Sequence, residues 1–174
     1  SSLVLSSGSW EEGPTLPGRG AGDACSVAWG GSLIVTGGWP EYNQVREYDT
    51  VRGRWEEEGK WPQLGGKGRW EHGCSLLGSQ LIVAGGGDSD DTYLSSTASL
   101  ELGSGGGGAW LEGGRLNTPR AGLTLVTVGA AGRERLYALA GWVDIIRYLD
   151  SVERWEEGGR KWEEEEERLP EGRA

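Results

Sequence analysis

Histidine, the side chain on which much acid–base and metal chemistry depends, occurs once in this chain. His72 is the only histidine among the 174 residues, so a catalytic triad, a histidine metal site or a histidine general base would each depend on it. It lies in the run "RWEHGC" and has no evident partner there. We therefore interpret His72 as a satisfied structural residue, and we predict that the protein is not an enzyme.

The two cysteines are Cys25, in "ACS", and Cys74, in "GCS". Their similar contexts suggest that both are small buried residues at one equivalent position of a repeat. A disulfide between them would have to cross between neighbouring repeats, and it is the less favoured alternative. Two cysteines do not make a zinc site, and two unpaired thiols favour a reducing compartment.

Two glycine-rich runs imitate ligand-binding motifs. Residues 103–108, "GSGGGG", satisfy G-x-G-x-x-G, but no helix-forming run follows, so a hairpin tip is favoured over a nucleotide site. Residues 85–91, "GGGDSDD", bring carboxylates together without the further ligands of a calcium loop. We expect a solvated loop there, and we predict neither a cofactor nor a metal.

The charge of the chain limits its partners. Acidic residues number 27 against 17 lysine and arginine residues, which gives a formal net charge of −10. Nucleic-acid binding draws its affinity from basic side chains on phosphates, so no nucleic-acid partner is expected. A protein with a basic surface is more plausible. No apolar run reaches the roughly 18 residues of a membrane helix, and no membrane partner is expected.

An internal repeat supplies the elements that would position these residues. The run "LIVTGG" at 33–38 recurs as "LIVAGG" at 81–86 and, in weaker form, as "LYALAG" at 136–141. An arginine and an apolar run precede each of these six-residue runs, and a polar loop, a strand-like run and a tryptophan follow it. The whole stretch, from the arginine to the tryptophan, is one copy of the repeat. The tryptophans are Trp55, Trp110 and Trp162. The run "LVLSSGSW" at 3–10 has the pattern of the end of an earlier copy.

Each copy therefore contains four short β-type runs with turn residues between them. Runs such as 33–36 and 81–84 are apolar on both faces, so both faces of their sheets must be covered. Four-stranded antiparallel sheets stacked face to face would meet this requirement. The sequence predicts an all-β fold, and no run has the apolar stripe of an amphipathic helix.

The repeat resembles the Kelch repeat, a unit of about 50 residues that forms one blade of a β-propeller. The shared features are a double glycine, an aromatic residue and a tryptophan in each copy. They are Gly37–Gly38, Tyr48 and Trp55; Gly85–Gly86 and Trp110, with Leu100 or Leu102 in the tyrosine place; and Ala140–Gly141, Trp155 and Trp162. The departures are Ala140 and the missing tyrosine of the second copy.

The resemblance implies one partial and three complete blades. Residues 1–18 would be outer strands of a preceding blade, and residues 19–66, 67–116 and 117–174 would be blades 1 to 3, the last with an acidic tail. Three and a half blades fall short of the roughly 4–8 of a closed ring. We expect further blades in a longer chain to close it. A ring of two copies is the less favoured alternative.

Propellers present loops at the two ends of the ring, and in the Kelch proteins that this chain resembles such loops and inner-strand arginines bind partner peptides. Arginine and aromatic residues also anchor protein interfaces in general. The predicted partner-binding residues are Trp39, Tyr42, Asn43, Asp88, Tyr93, Trp142 and Arg147 in loops, and Arg19, Arg69 and Arg120 at strand starts. The alternative for each arginine is a structural hydrogen-bonding role.

The sequence favours a non-enzymatic module that binds another protein, or a scaffold of a larger assembly. We expect a cytoplasmic location, with the cytoskeleton as one such assembly. A substrate-recognition domain of a ubiquitin-ligase adaptor is the first alternative, although no adaptor-like helical region is present. A propeller enzyme is less favoured, since copper would need more histidines and glycan hydrolysis would need two carboxyl groups facing each other across the channel.

Overall fold

The computed structural model describes the backbone of residues 2–4 and 9–11 and the complete residues 12–103, 106, 108–144, 146–155 and 161–170. Every regular element in these ranges is a β-strand. The described part of the chain contains no helix long and apolar enough to cross a membrane. The predicted all-β class is confirmed.

Three four-stranded antiparallel sheets follow one another along the chain. Sheet 1 consists of β3 (Cys25–Trp29), β4 (Ser32–Thr36), β5 (Val45–Asp49) and β6 (Arg54–Trp55). Sheet 2 consists of β7 (Gly73–Leu77), β8 (Gln80–Ala84), β9 (Thr97–Glu101) and β10 (Leu111–Glu112). Sheet 3 consists of β11 (Thr124–Val128), β12 (Arg135–Leu139), β15 (Val152–Trp155) and β16 (Trp162–Glu164).

Two smaller two-stranded sheets complete the described elements. One pairs β1 (Ser2–Val4) with β2 (Ser9–Glu11). The other pairs β13 (Trp142–Asp144) with β14 (Arg147–Tyr148), and it interrupts sheet 3 between β12 and β15. The sequence did not predict this inserted hairpin. Each four-stranded sheet lies within one predicted repeat unit.

Tight glycine turns hold the first two strands of sheet 1 in register. Trp29 of β3 pairs with Ser32 of β4, which leaves Gly30 and Gly31 as a two-residue turn. Both glycines have positive φ, 55° and 85°. Such backbone angles match the twist of the flanking strands and favour glycine, which has no Cβ. The turn therefore fixes which side chains face each side of the sheet.

Adjacent sheets stack through their first strands, since β3 contacts β7 and β7 contacts β11. We call the side of a sheet that points toward the next sheet its forward face, and the opposite side its backward face. Ile34 on the forward face of sheet 1 packs in one core cluster with Leu81 and Val83 of sheet 2. Ile82 on the forward face of sheet 2 packs in a second cluster with Leu136 of sheet 3. Sheet 2 is therefore covered on both faces, as its apolar run requires.

The aromatic residues of the repeat lie on backward faces. Tyr48 pairs with Trp55 across sheet 1, and Trp155 pairs with Trp162 across sheet 3, with ring centroids 5.2 Å and 5.5 Å apart. In sheet 2 the residue with the register of Tyr48 is Leu100. Aromatic pairs of this kind contribute roughly 1 kcal/mol beyond the area that they bury.

The structure corrects the interpretation of the cysteines, because Cys25 and Cys74 form a disulfide with Cα atoms 5.9 Å apart. They do not occupy equivalent positions. Cys25 pairs with Thr36, the last residue of β4, whereas Cys74 pairs with Val83, the residue before the last of β8. A shift of one residue reverses the face of a strand. Cys25 thus lies on a forward face and Cys74 on a backward face, so that the disulfide joins two stacked sheets.

Candidate functional site

The second strands of all three sheets end at the double glycine or its equivalent. Just beyond that point, a single bridge joins the residue after the glycines to the chain that leads into the first strand. The three bridges are Gly22–Trp39, Trp70–Gly87 and Ala121–Trp142. We call this side of the sheets the double-glycine end. It carries the loops in which the sequence places most partner-binding residues.

Close packing explains the double glycines. Gly37 and Gly85 have φ of 58° and 63°, and a Cβ on Gly85 would lie 2.6 Å from the carbonyl oxygen of Arg120. The second glycines, Gly38 and Gly86, donate their amides to the carbonyls of the arginines that begin the next sheet, at 2.9 Å and 2.8 Å. Each double glycine is thus a backbone joint between sheets.

Ala140 replaces the first glycine of the motif in sheet 3, although its φ is also positive, at 56°. No arginine carbonyl of a following sheet contacts it within the described residues. A left-handed backbone on an alanine costs about 1 kcal/mol of local strain.

A row of three residues with positive φ runs across the double-glycine end. Asp23, Glu71 and Gly122 each lie two residues before a first strand, and their φ values are 57°, 48° and 63°. The amide of Glu71 donates to the carbonyl of Asp23, and the amide of Gly122 donates to that of Glu71, both at 2.8 Å. These hydrogen bonds hold the starts of the three sheets beside one another.

The row brings two carboxyl groups together on adjacent sheets. Burial, and then the charge of Asp23, raises the pKa of Glu71 above its usual value. The Oε2 atom of Glu71 is buried without a hydrogen-bond partner. No group of three or more histidine, cysteine, aspartate or glutamate side chains within the described ranges could hold a metal ion. Asp23 and Glu71 lie just before the first strands of neighbouring sheets.

Each bridge contains one tryptophan. Trp39 is 61% exposed, whereas Trp70 donates its indole N–H to the carbonyl of Asp88 at 2.9 Å. Trp142 covers Gly122, which has no room for a Cβ, and its ring meets Tyr148 edge-on with centroids 6.4 Å apart. Sequence reasoning missed Trp70, because it stands before the first strand rather than after the double glycine.

Arg69 and Arg120 have the structural role that the sequence left open. Both are buried. Arg69 donates to the carbonyls of Gly85 and Ser96 at 2.9 Å and 3.2 Å, and Arg120 donates to those of Ala140 and Ser151 at 3.0 Å and 3.5 Å. Each guanidinium therefore ties the end of the second strand to the start of the third within one sheet.

Sheet 1 lacks this arginine arrangement. Arg19 is exposed, and the run from Arg19 to Cys25 is two residues longer than the run from Arg69 to Gly73. The buried guanidinium of sheet 1 belongs to Arg46, which pairs with Glu41. Of the three predicted arginines at strand starts, Arg19 is the one whose side chain is accessible to a partner.

The remaining predicted residues lie in the loops of this end, except Arg147, which lies on the short strand β14. The carbonyls of Tyr42 and Asn43 accept the amides of Arg69 and Leu64, at 2.7 Å and 2.8 Å, so this loop connects sheets 1 and 2. Asp88 Oδ1 accepts the amides of Asp90 and Thr92, at 2.9 Å and 3.1 Å. Tyr93 bridges to Gly87, and Arg147 is exposed on β14. Their role in partner binding stays a prediction.

His72 is a buried neighbour of the row. Its Nε2 atom lies 2.8 Å from Thr36 Oγ1, across the contact between sheets 1 and 2, and its Nδ1 atom has no partner. Burial, and then the charge of Arg69, lowers the pKa of His72 to about 3. The ring is therefore neutral at pH 7, and its environment is that of a structural histidine.

This low pKa predicts how stability depends on pH. In the unfolded chain His72 takes up a proton below about pH 6.5, whereas in the folded chain it takes up that proton only below about pH 3. The stabilisation is thus complete above pH 6.5 and is lost as the pH falls. Between pH 7 and pH 5 we expect a loss of about 2 kcal/mol. Urea titrations of the wild type and of His72→Gln would measure it, and equal losses in both proteins would refute the assignment.

No protein-family model and no curated protein matches this chain. Residues 104, 105 and 107 of the run "GSGGGG" lie outside the described residues, so the predicted hairpin tip stays a prediction.

Proposed function

We propose that this chain is a segment of a Kelch-type β-propeller that binds another protein, without enzyme activity, through its double-glycine end. The stacked four-stranded sheets and the repeated joint at the double glycines support the propeller. We also propose that the chain acts as a scaffold in the cytoplasm, with the cytoskeleton as one such assembly. The disulfide, however, removes the argument for a reducing compartment that rested on unpaired thiols.

One observation supports binding at this end above all. Large apolar side chains are exposed there, on loops attached to a hydrogen-bonded row that crosses three sheets. Trp39, Tyr148 and Ile146 are 61%, 75% and 81% exposed. Exposed aromatic side chains on a rigid base cost little entropy to fix, and such residues anchor protein interfaces.

The charges of this end change the expected partner chemistry. Because Arg69 and Arg120 are buried in backbone contacts, they do not supply the positive charge that an acidic segment would need. Arg19 and Arg147 are exposed, and two of the three residues of the row, Asp23 and Glu71, are acidic. An extended peptide that places apolar groups on the aromatic residues is therefore a better match than a purely acidic one.

Selection from a random-peptide library on the immobilised chain would test the proposal. We expect selected peptides to bind the wild type and to lose at least tenfold in affinity with Trp39→Ala and with Tyr148→Ala. The matched control is Val51→Ala, an 87% exposed residue in the turn after β5, at the opposite end of sheet 1. Peptides whose affinity depends on Val51 but not on Trp39 or Tyr148 would overturn the proposal.

A further inference from the structure

The tryptophan near the outer edge of sheets 1 and 2 uses its indole N–H in the same way in both sheets. In sheet 1, Trp55 donates this N–H to the carbonyl of Pro14 at 3.4 Å. In sheet 2, Trp110 donates it to the carbonyl of Pro62 at 3.0 Å. Each proline lies in the segment that leads into the sheet concerned. A proline carbonyl is therefore the partner of this indole N–H in both sheets.

The equivalent tryptophan of sheet 3 lacks such a partner. Trp162 pairs with Trp155 across sheet 3 as Trp55 pairs with Tyr48 across sheet 1, so it has the same register. It is 2% exposed, yet its Nε1 atom has no hydrogen-bond partner within the described residues. A buried indole N–H usually has a partner, so the N–H of Trp162 is a donor that a bound ligand can use.

The length of the segment before each sheet explains this difference. Arg69 stands 14 residues after Trp55, and Pro62 stands midway between them. Arg120 stands only 10 residues after Trp110, and no proline lies in the middle of that shorter segment. The segment before sheet 3 therefore cannot bring a proline carbonyl to Trp162 in the way that the segment before sheet 2 brings one to Trp110.

The shorter segment also leaves space between sheets 2 and 3. In the contact between sheets 1 and 2, Trp61 is buried and donates its indole N–H to Glu47 at 2.8 Å. Ser99 of sheet 2 has the register of Glu47, and it lines a cavity of about 80 Å³. The cavity thus lies beside the position that corresponds to Trp61.

The cavity lies between the forward face of sheet 2 and the backward face of sheet 3. Ile82 and Ser99 line it from sheet 2, and Leu136, Trp155 and Trp162 line it from sheet 3. Trp155 is larger than the residue of its register in sheet 2, and it takes up part of the space. None of the described lining residues is charged. The site therefore suits a small uncharged group that also brings a hydrogen-bond acceptor.

The size and the walls of the cavity favour proline. A cavity of roughly 150 Å³ holds a benzene ring, so about 80 Å³ suits the three side-chain carbons of a proline. The rings of Trp155 and Trp162, with centroids 5.5 Å apart, form one wall, and proline-rich segments dock in grooves lined by aromatic side chains. Leu111 pairs with Ser99 and is 63% exposed, which extends the apolar surface beside the cavity.

We propose that the cavity between sheets 2 and 3 binds a proline-containing extended segment of a partner protein, with the proline ring against Trp155 and Trp162 and the proline carbonyl accepting the indole N–H of Trp162. Pro62 makes the same bond to Trp110 within the chain. A polyproline II segment has no internal hydrogen bonds, so its carbonyls can accept this N–H. The site uses none of the residues predicted at the double-glycine end, and it does not depend on the proposed function.

The indole N–H resonances of the 15N-labelled chain test this contact residue by residue. The probe is an oligoproline peptide, which is extended and has no charged side chain. We expect the Nε1–H resonance of Trp162, assigned through its proximity to Trp155, to shift during the titration as this N–H gains an acceptor. The matched control is the resonance of Trp110, which should not move because its N–H is already bonded to Pro62.

Leu77→Trp is a variant that should block the cavity. Leu77 lines the cavity and has the register of Trp29 in sheet 1, so an indole at this position should fill the space. Oligoproline should bind the variant at least tenfold more weakly than the wild type. A glycine–serine peptide of the same length should also bind the wild type at least tenfold more weakly, because it is flexible and has no ring for the cavity.

Three results would overturn the proposal: a Trp162 resonance that oligoproline does not move, equal binding of the glycine–serine peptide, or equal binding of oligoproline to folded Leu77→Trp. The titration of the wild type covers the case in which the variant fails to fold. Shifts confined to Trp39 and Trp142 would place the peptide at the double-glycine end, which would refute the cavity site and leave the proposed function standing.

Discussion

Replacing Glu153 with alanine is expected to lower the free energy of unfolding by about 3–5 kcal/mol, the largest effect of any single substitution that we foresee. Glu153 and Arg120 are 1% and 0% exposed, and Glu153 Oε1 accepts a hydrogen bond from Arg120 at 2.5 Å. Its other oxygen accepts the amide of Asn117 at 2.7 Å. Without Glu153, the buried Arg120 guanidinium would lose its opposite charge and the amide of Asn117 would lose its acceptor.

The matched control lies on the same sheet. Glu163 pairs with Arg154 at 3.7 Å at the protein surface. Replacing Glu163 with alanine should cost less than about 1 kcal/mol, because exposed ion pairs contribute little. Chemical denaturation of the two variants measures the difference. Similar losses in both would show that the buried pair does not hold the starts of β11 and β15 together.

Removing the disulfide is expected to cost about 4 kcal/mol. The bond closes a loop with a sequence separation of 49 residues, and the chain-entropy relation gives about this value for such a loop. Denaturation of the double variant Cys25→Ala and Cys74→Ala, beside that of the oxidised wild type, measures the loss. The reduced wild type serves as the control, since it lacks the bond but keeps both side chains.

The two experiments separate the bond from the packing. If the reduced wild type and the double variant are equally destabilised, the loss comes from the cross-link. If only the double variant is destabilised, the cysteines contribute by packing in the core between sheets 1 and 2, and the entropic account is wrong.

The strands could be predicted from the sequence because their signals are local. Apolar runs bounded by glycine, such as 33–36 and 81–84, correspond to β4 and β8 within one residue. Glycine turns and double glycines mark their ends, since positive φ is needed there. The hairpin of β13 and β14 was not predicted, because its strands are only three and two residues long and carry no clear alternation.

The disulfide was not predicted because the two cysteines were assigned to the same position of the repeat. Cys25 and Cys74 share the local context "CS", which suggested equivalence. Cys25 stands eight residues before Leu33, however, whereas Cys74 stands seven before Leu81. That difference of one residue places the cysteines on opposite faces of their strands, and it could have been counted in the sequence.

The candidate site could be predicted only in part, for the same kind of reason. The loops after the double glycines were identified from sequence order, since a loop must follow the end of a strand. The burial of Arg69 and Arg120 could not be predicted from the sequence. It depends on the carbonyl groups of Gly85 and Ala140, which lie far along the chain from these arginines. The residue types do not show which backbone carbonyls accept hydrogen bonds from a side chain.

The stacking of forward faces on backward faces is the central feature of this fold, and the disulfide is its most direct chemical test. Free thiols of the purified, unreduced chain would be alkylated, and the protein would then be digested and its peptides weighed. The account predicts one linked pair of peptides containing Cys25 and Cys74, with neither cysteine alkylated. Two alkylated cysteines and no linked pair would contradict the stacking of sheet 1 on sheet 2 at these residues.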